Sequence, residues 1–175
     1  MKYLIHPNGL NPQIKVGPFT QIAFNQYTNR IYIWKPYNCT VAVIDSNSGA
    51  TKYIHVEKPS SCPGTVKASG YMLVNTKTNK IYVAYVGHLF VIEGYNNRIR
   101  QIPVGGSPSF MLLSYGSEGN KIYVANVDSV SVIDSYSDSK IKQIQIPLAG
   151  HPVLMTQSSA ACRLPQYPPA AIRFT

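Results

Sequence analysis

The chain has 175 residues, with 16 Lys+Arg against 7 Asp+Glu, four His, three Cys and 45% apolar residues. That length suits one domain and is enough to bury a core without a metal or disulfide staple, while the apolar fraction excludes a disordered chain. No apolar run approaches the roughly 18 residues of a membrane span, and Tyr3-Leu4-Ile5, closed by His6 and Pro7, is too short for the apolar stretch of a secretion leader.

In chain order, short runs rich in Ile, Val and Tyr alternate with Gly, Asn, Ser and Pro, which is strand and turn chemistry. Tyr3 to His6 and Gln13 to Gly17 open the series. A run over Thr20 to Phe24 precedes Asn29-Arg30-Ile31-Tyr32-Ile33-Trp34, then Val41-Ala42-Val43-Ile44-Asp45-Ser46, then Ile54-His55-Val56-Glu57. The same four return as Tyr71 to Val74, Asn79-Lys80-Ile81-Tyr82-Val83-Ala84, Leu89-Phe90-Val91-Ile92-Glu93-Gly94 and Ile102-Pro103-Val104-Gly105. They return again as Ser109 to Leu113, Asn120-Lys121-Ile122-Tyr123-Val124-Ala125, Val130-Ser131-Val132-Ile133-Asp134-Ser135 and Ile146-Pro147-Leu148-Ala149. Pro152 to Gln157 begins a further round, Cys162 to Pro169 matches nothing, and Ala170 to Phe174 closes the chain.

We label the four strands of each round a, b, c and d. The a–b turns carry Asn or Gly where a tight hairpin wants positive φ. Strand b is apolar on both faces, so each four-stranded sheet must be covered on both sides. Sheets of this length solve that by stacking radially as the blades of a β-propeller. The expected fold is therefore all-β, a propeller of four-stranded antiparallel blades. Its strands divide as c and d over 1–17, whole blades over 18–58, 59–106 and 107–150, and strand a plus an off-pattern tail over 151–175. If 170–174 is a strand b, the two termini share a fourth blade, Ala171 to Phe174 pairing with Tyr3 to His6, and the chain is a monomer. A fragment of a larger propeller would instead self-associate.

Asn-[Arg/Lys]-Ile-Tyr-[Ile/Val], followed by Val-x-Val-Ile-Asp-Ser and Ile-Pro-Val-Gly-Gly-x-Pro, resembles the YVTN family of β-propeller repeats over roughly residues 3 to 157. The WD40 signature is not matched, since Trp34 is not followed by Asp. The resemblance implies a scaffold of the kind found in surface-layer and secreted proteins, hence an extracellular or cell-surface location and a protein or polysaccharide ligand. It implies no particular activity.

In such a fold the b–c and d–a loops emerge at one end of the sheets, and the a–b and c–d turns at the other. Loops on a rigid frame are where ligands bind, so Tyr37, His88, Asn126, Asp128 and His151 are the candidate ligand residues. Cys39 and Cys62 fall on loops at that same end and are expected to form a disulfide, leaving Cys162 free. Asp45, Glu93 and Asp134 hold one repeated position and read as turn caps. His6, His55, His88 and His151 are spread singly, not gathered with a carboxylate as a metal-dependent lyase needs, and no motif marks a nucleophile. Neither catalysis nor a metal or other cofactor is expected; the alternative is a lyase- or hydrolase-type propeller acting in its central channel. Tyrosines recurring inside apolar runs read as packing, which disfavours nucleic acid. Arg30, Lys80 and Lys121 follow the a–b turns, and with the bases around the c–d turns they should form a positive rim, a surface for an anionic polymer.

Overall fold

The computed structural model describes residues 20–57, 62, 70–116 and 119–146. Twelve strands follow one another: β1 (Gln21–Asn25), β2 (Arg30–Lys35), β3 (Thr40–Asp45), β4 (Thr51–His55), β5 (Tyr71–Asn75), β6 (Lys80–Tyr85), β7 (His88–Glu93), β8 (Ile99–Pro103), β9 (Phe110–Gly116), β10 (Gly119–Ala125), β11 (Ser129–Asp134) and β12 (Ser139–Gln145). They form three four-stranded sheets, β1–β4, β5–β8 and β9–β12, each a meander in chain order. Every pairing is antiparallel. The a strands lie next to one another, β1 beside β5 and β5 beside β9, so the sheets fan out from a common inner edge in a propeller-like array. Among the described residues the array is open. The strands read at 3–6, 13–17, 152–157 and 170–174, and with them the shared fourth blade, lie outside the described residues. No described helix is long and apolar enough to cross a membrane.

Alternation along the middle strand of the second sheet explains the stacking. Ile81, Val83 and Tyr85 turn towards the first sheet, where they meet Tyr32, Trp34, Val41, Val43 and Ile54. Tyr82 and Ala84 turn the other way, onto Met111, Ile122, Val124 and Ile133 of the third. A sheet filled on both faces has no polar side to give water, and that forces the blade arrangement.

The d strands begin earlier than their apolar residues suggest. Thr51 already pairs with Ile44, and Ser139 with Asp134, directly after the c–d turns. These first positions, Thr51-Lys52 and Ser139-Lys140, are exposed because d is the outer edge strand, where lysine guards against further pairing. A register shift between Val132 and Ile133 lets β12 continue to Gln145, so Ile146 follows the strand instead of starting it.

Candidate functional site

At the loop end of the first sheet, Pro36–Asn38 form one 3-10 turn ended by Cys39 in the left-handed region, φ 49°. That turn aims the buried Cys39 side chain at Cys62, and the two are joined by a disulfide with S–S 2.07 Å and Cα–Cα 5.9 Å. Tyr37 stands half-buried on the same turn. The Tyr85 hydroxyl, from the second sheet, donates to the Pro36 carbonyl at 3.5 Å. Burial, and secondarily the Glu57 carboxylate, pushes the Tyr85 hydroxyl above its ordinary pKa.

The remaining loop-end candidates are drawn into the structure. His88 begins β7 beyond a two-residue turn, Val86-Gly87, whose φ values of 44° and 75° are those of a tight hairpin. Its Nδ1 lies 3.0 Å from the Val86 carbonyl, and its ring packs 6.2 Å from Phe90. Asn126 is fully buried and donates from Nδ2 to the Val104 carbonyl at 3.1 Å. The same carbonyl accepts Ser131 Oγ at 2.7 Å, so a c strand and a b–c turn of the third sheet grip the end of the second. Asp128 is exposed and accepts Ser129 Oγ at 3.0 Å. His55 sits on the edge strand β4 with Nδ1 3.1 Å from Thr40 Oγ1. His151 lies outside the described residues. Tyr37 and His88 therefore belong to the ends of the first and second sheets, while Asn126 and Asp128 share one turn of the third and both meet Ser129 Oγ. Asn126 has a role in holding sheets together that its place in a loop did not suggest.

At the turn end, one backbone bond repeats in every sheet: Ser46, Gly94 and Ser135 donate to the carbonyls of Asn29, Asn79 and Asn120. It ties each c–d turn to the a–b turn of its own sheet. In the second sheet the approach is close, since a β-carbon at Gly94 would lie 2.6 Å from the Asn79 carbonyl oxygen, although Ser46 and Ser135 make the same bond with a β-carbon in place. Asp45 and Asp134 cap their turns, each Oδ1 accepting two backbone amides and a serine hydroxyl at 2.8–3.1 Å. The amide of Ser48 for Asp45, and of Ser137 for Asp134, leads the set of bonds that hold these carboxyls below their ordinary pKa.

The repeated bases reach sideways. Arg30 donates from its guanidinium to the Gly94 carbonyl of the next sheet at 2.7 Å. Lys80 does the same one sheet on: its Nζ reaches the Ser135 and Tyr136 carbonyls at 3.1 and 3.4 Å and both Asp138 oxygens at 2.8 Å. Tyr82, also at this junction, donates to the Ser135 carbonyl at 3.3 Å, and burial first, then nearby Asp138, drives its hydroxyl well above its ordinary pKa. So Arg30 and Lys80 form clamps between sheets instead of a free rim. Lys121, at the equivalent position of β10, also has a partner.

What stands in water at this end is different. Tyr27, Tyr95 and Tyr136, on turns of the first, second and third sheets, are 71%, 82% and 66% exposed. Lys77 lies over the Tyr115 ring at 4.8 Å. Arg98 and Arg100, both exposed, line a cleft of about 170 Å³ with Val91, Glu93, Ile99 and Asp138. The reading of tyrosine as packing holds for Tyr32, Tyr82 and Tyr85 on the b strands and fails at the turns. The signal was present, since Tyr27, Tyr95 and Tyr136 are flanked by Gln, Asn, Ser, Thr or Gly and not by apolar residues.

No family model matches the chain, and neither does any curated protein. Solved structures do. The extracellular domain of the one-component system BT4673 from B. thetaiotaomicron is similar with a TM-score of 0.55 at 12% identity, over 76% of this chain and 17% of that one. Dihydro-heme d1 dehydrogenase NirN in complex with DHE gives 0.53 at 18%, over 83% and 33%. BBS1N in complex with ARL6DN gives 0.50 at 11%, over 78% and 44%. The chain thus spans less than half the length of each of these neighbours. At such identities the likeness establishes the fold: an all-β, propeller-like stack of four-stranded antiparallel sheets.

Proposed function

We propose that the chain is a non-catalytic binding module built on a YVTN-type propeller, working outside the cell or on its surface. The observation that carries this reading is the division of labour at the turn end. The repeated positions Arg30, Lys80, Asp45 and Asp134 fix turns and join sheets, while tyrosines and bases stand outward on those fixed turns. A frame that holds its turns rigid and presents aromatic and cationic side chains is suited to holding a ligand, since little order has to be imposed on binding. The Cys39–Cys62 disulfide supports an oxidising compartment, because such bonds do not persist in a reducing cytosol. In the same reading, residues 3–17 and 151–174 supply the fourth sheet. It would cover the outer face of the first, on which Ile22 and Phe24 are more than half exposed. The full chain should then have the mass of one copy in solution, and deletion of residues 1–17 should make it associate.

The binding reading is tested with cell envelopes of the source organism. The full chain should co-sediment with them, and the glycans and peptides of the envelope should keep their masses after incubation. Turnover of the bound material, or failure to sediment, overturns it.

A further inference from the structure

We propose that the turn end takes an acidic polysaccharide, the exposed tyrosine rings lying on sugar faces and the Arg98–Arg100 cleft taking the carboxylate or sulfate groups. This rests on the reading of the chain as a binding module and names its ligand class. Three rings, one per sheet, stand in solvent on turns, and the turns of Tyr95 and Tyr136 are fixed from the neighbouring sheet. Arg30 holds Gly94, next to Tyr95, and Lys80 holds the carbonyl of Tyr136 itself. Asn120 Nδ2 donates to the Tyr136 hydroxyl at 3.3 Å and so sets the tilt of that ring. Rigid tyrosines amid small polar residues give large contact area at low entropic cost, the chemistry of an adaptable recognition surface. The apolar face of a pyranose ring matches it.

Charge supplies the second half. The described carboxylates at this end are Asp45, Glu93, Asp134 and Asp138. Two of them are engaged by turn amides, Asp138 is neutralised by Lys80, and Glu93 accepts the Asn96 side-chain amide at 2.9 Å. Against these stand the exposed bases Lys52, Lys77, Arg98, Arg100, Lys140 and Lys142. Arg98 immediately precedes β8 and Arg100 lies on it, and both line the one cleft. Arg100 is steadied on the next sheet through the Ser137 carbonyl at 3.4 Å. Two guanidiniums at one cleft, each able to donate two N–H groups to a pair of anion oxygens, suit a carboxylate or sulfate better than lysines would. A nucleic acid would also meet aromatics and bases, but it is the weaker fit to a protein whose disulfide points to an oxidising compartment.

The test uses the full chain in affinity electrophoresis, with polygalacturonate as the acidic probe, dextran as the neutral one and a single-stranded oligonucleotide as the anionic control. Polygalacturonate should retard the chain and dextran should not. The retardation should weaken about tenfold or more between about 50 and about 200 mM salt. Tyr95→Ala with Tyr136→Ala, and separately Arg98→Glu with Arg100→Glu, should each weaken it at least about fivefold; these side chains are exposed, so an unchanged unfolding midpoint shows that the variants fold. The proposal falls if polygalacturonate does not retard the chain, if dextran does so equally, if either double variant binds as before, or if the oligonucleotide binds more tightly at the same residues. Sedimentation with envelopes that polygalacturonate fails to compete away sinks the acidic-glycan proposal and leaves the binding module standing; loss of both sinks the two together.

Discussion

The junction between the first and second sheets and the junction between the second and third are built on one plan and finished differently. At the turn end both have a base reaching from a b strand to the next c–d turn, Arg30 to Gly94 in one and Lys80 to Ser135, Tyr136 and Asp138 in the other. At the loop end they diverge. The first is aromatic and cross-linked: Trp34 is fully buried, meets Tyr85 edge-on at 5.3 Å, and packs with both cysteines. Gly70 leaves the room for it, since a β-carbon there would collide with the indole. The second is polar: Asn126 and Ser131 share the Val104 carbonyl. One repeat thus supports two solutions, because strand register fixes only which residues face the junction. Its filling depends on whether the side chains present add volume or hydrogen bonds.

Trp34→Ala should break the first junction outright. Removing a fully buried indole costs about 3–5 kcal/mol, and no neighbouring backbone can close that space without shifting a whole sheet. Urea unfolding should show a loss in this range. An effect below about 1 kcal/mol would mean that the indole is not part of the core. Reduction, or Cys39→Ala with Cys62→Ala, should cost about 3 kcal/mol for a loop closed across 23 residues. Hydrogen exchange should then report faster opening at Tyr32, Trp34 and Val41 than at Ile122 and Val124. Uniform loosening would show that the cross-link serves the whole stack and not one junction.

The two clamps sharpen the comparison further. Lys80→Met leaves the nearly buried Asp138 carboxylate without its partner and should cost about 2–3 kcal/mol, discounted from a fully buried pair because Lys80 keeps some contact with water. Arg30→Met removes a bond to a neutral carbonyl and should cost about 1 kcal/mol. Equal losses in thermal or urea unfolding would show that Asp138 adds nothing at the second junction.

Strands b and c were legible because three phased repeats of Asn-base-Ile-Tyr and Val-x-Val-Ile-acid leave no other periodicity open. The turn-capping of Asp45 and Asp134 was legible too, since an acid before Ser-x-Ser has local amides to bind. The starts of the d strands were not, because an edge strand exposes polar residues that look like a turn. The clamps of Arg30 and Lys80 were hidden for another reason. Their partners lie 64 and 55 to 58 residues away, and only stacking brings one sheet's b strand under the next sheet's turn. Asn126 was read as a loop residue facing a ligand, and nothing in its neighbours announces that the second sheet ends against it.

The smallest effect expected is one that ignores the difference between the junctions. Asp45 and Asp134 sit in the outer two sheets, one at each side of the array, and both carboxyls are held below the ordinary 3.8 by bonds from the turn amides and serine hydroxyls. When the folded value lies below the unfolded one, the unfolded chain binds more protons, so stability rises with pH across the interval between them. The contribution of these caps is therefore present above about pH 4 and disappears as pH falls through the two folded values. Both groups face water, so the change is shallow and screened by salt. Asp45→Asn with Asp134→Asn keeps a side-chain oxygen for the same amides and removes only the charge. The unfolding midpoint of the double variant, followed from about pH 6 to about pH 3, should decline less steeply than that of the parent. Parallel curves would show that the caps act through geometry alone. A decline confined to one junction in hydrogen exchange would show that one turn, and not both, carries the pH dependence.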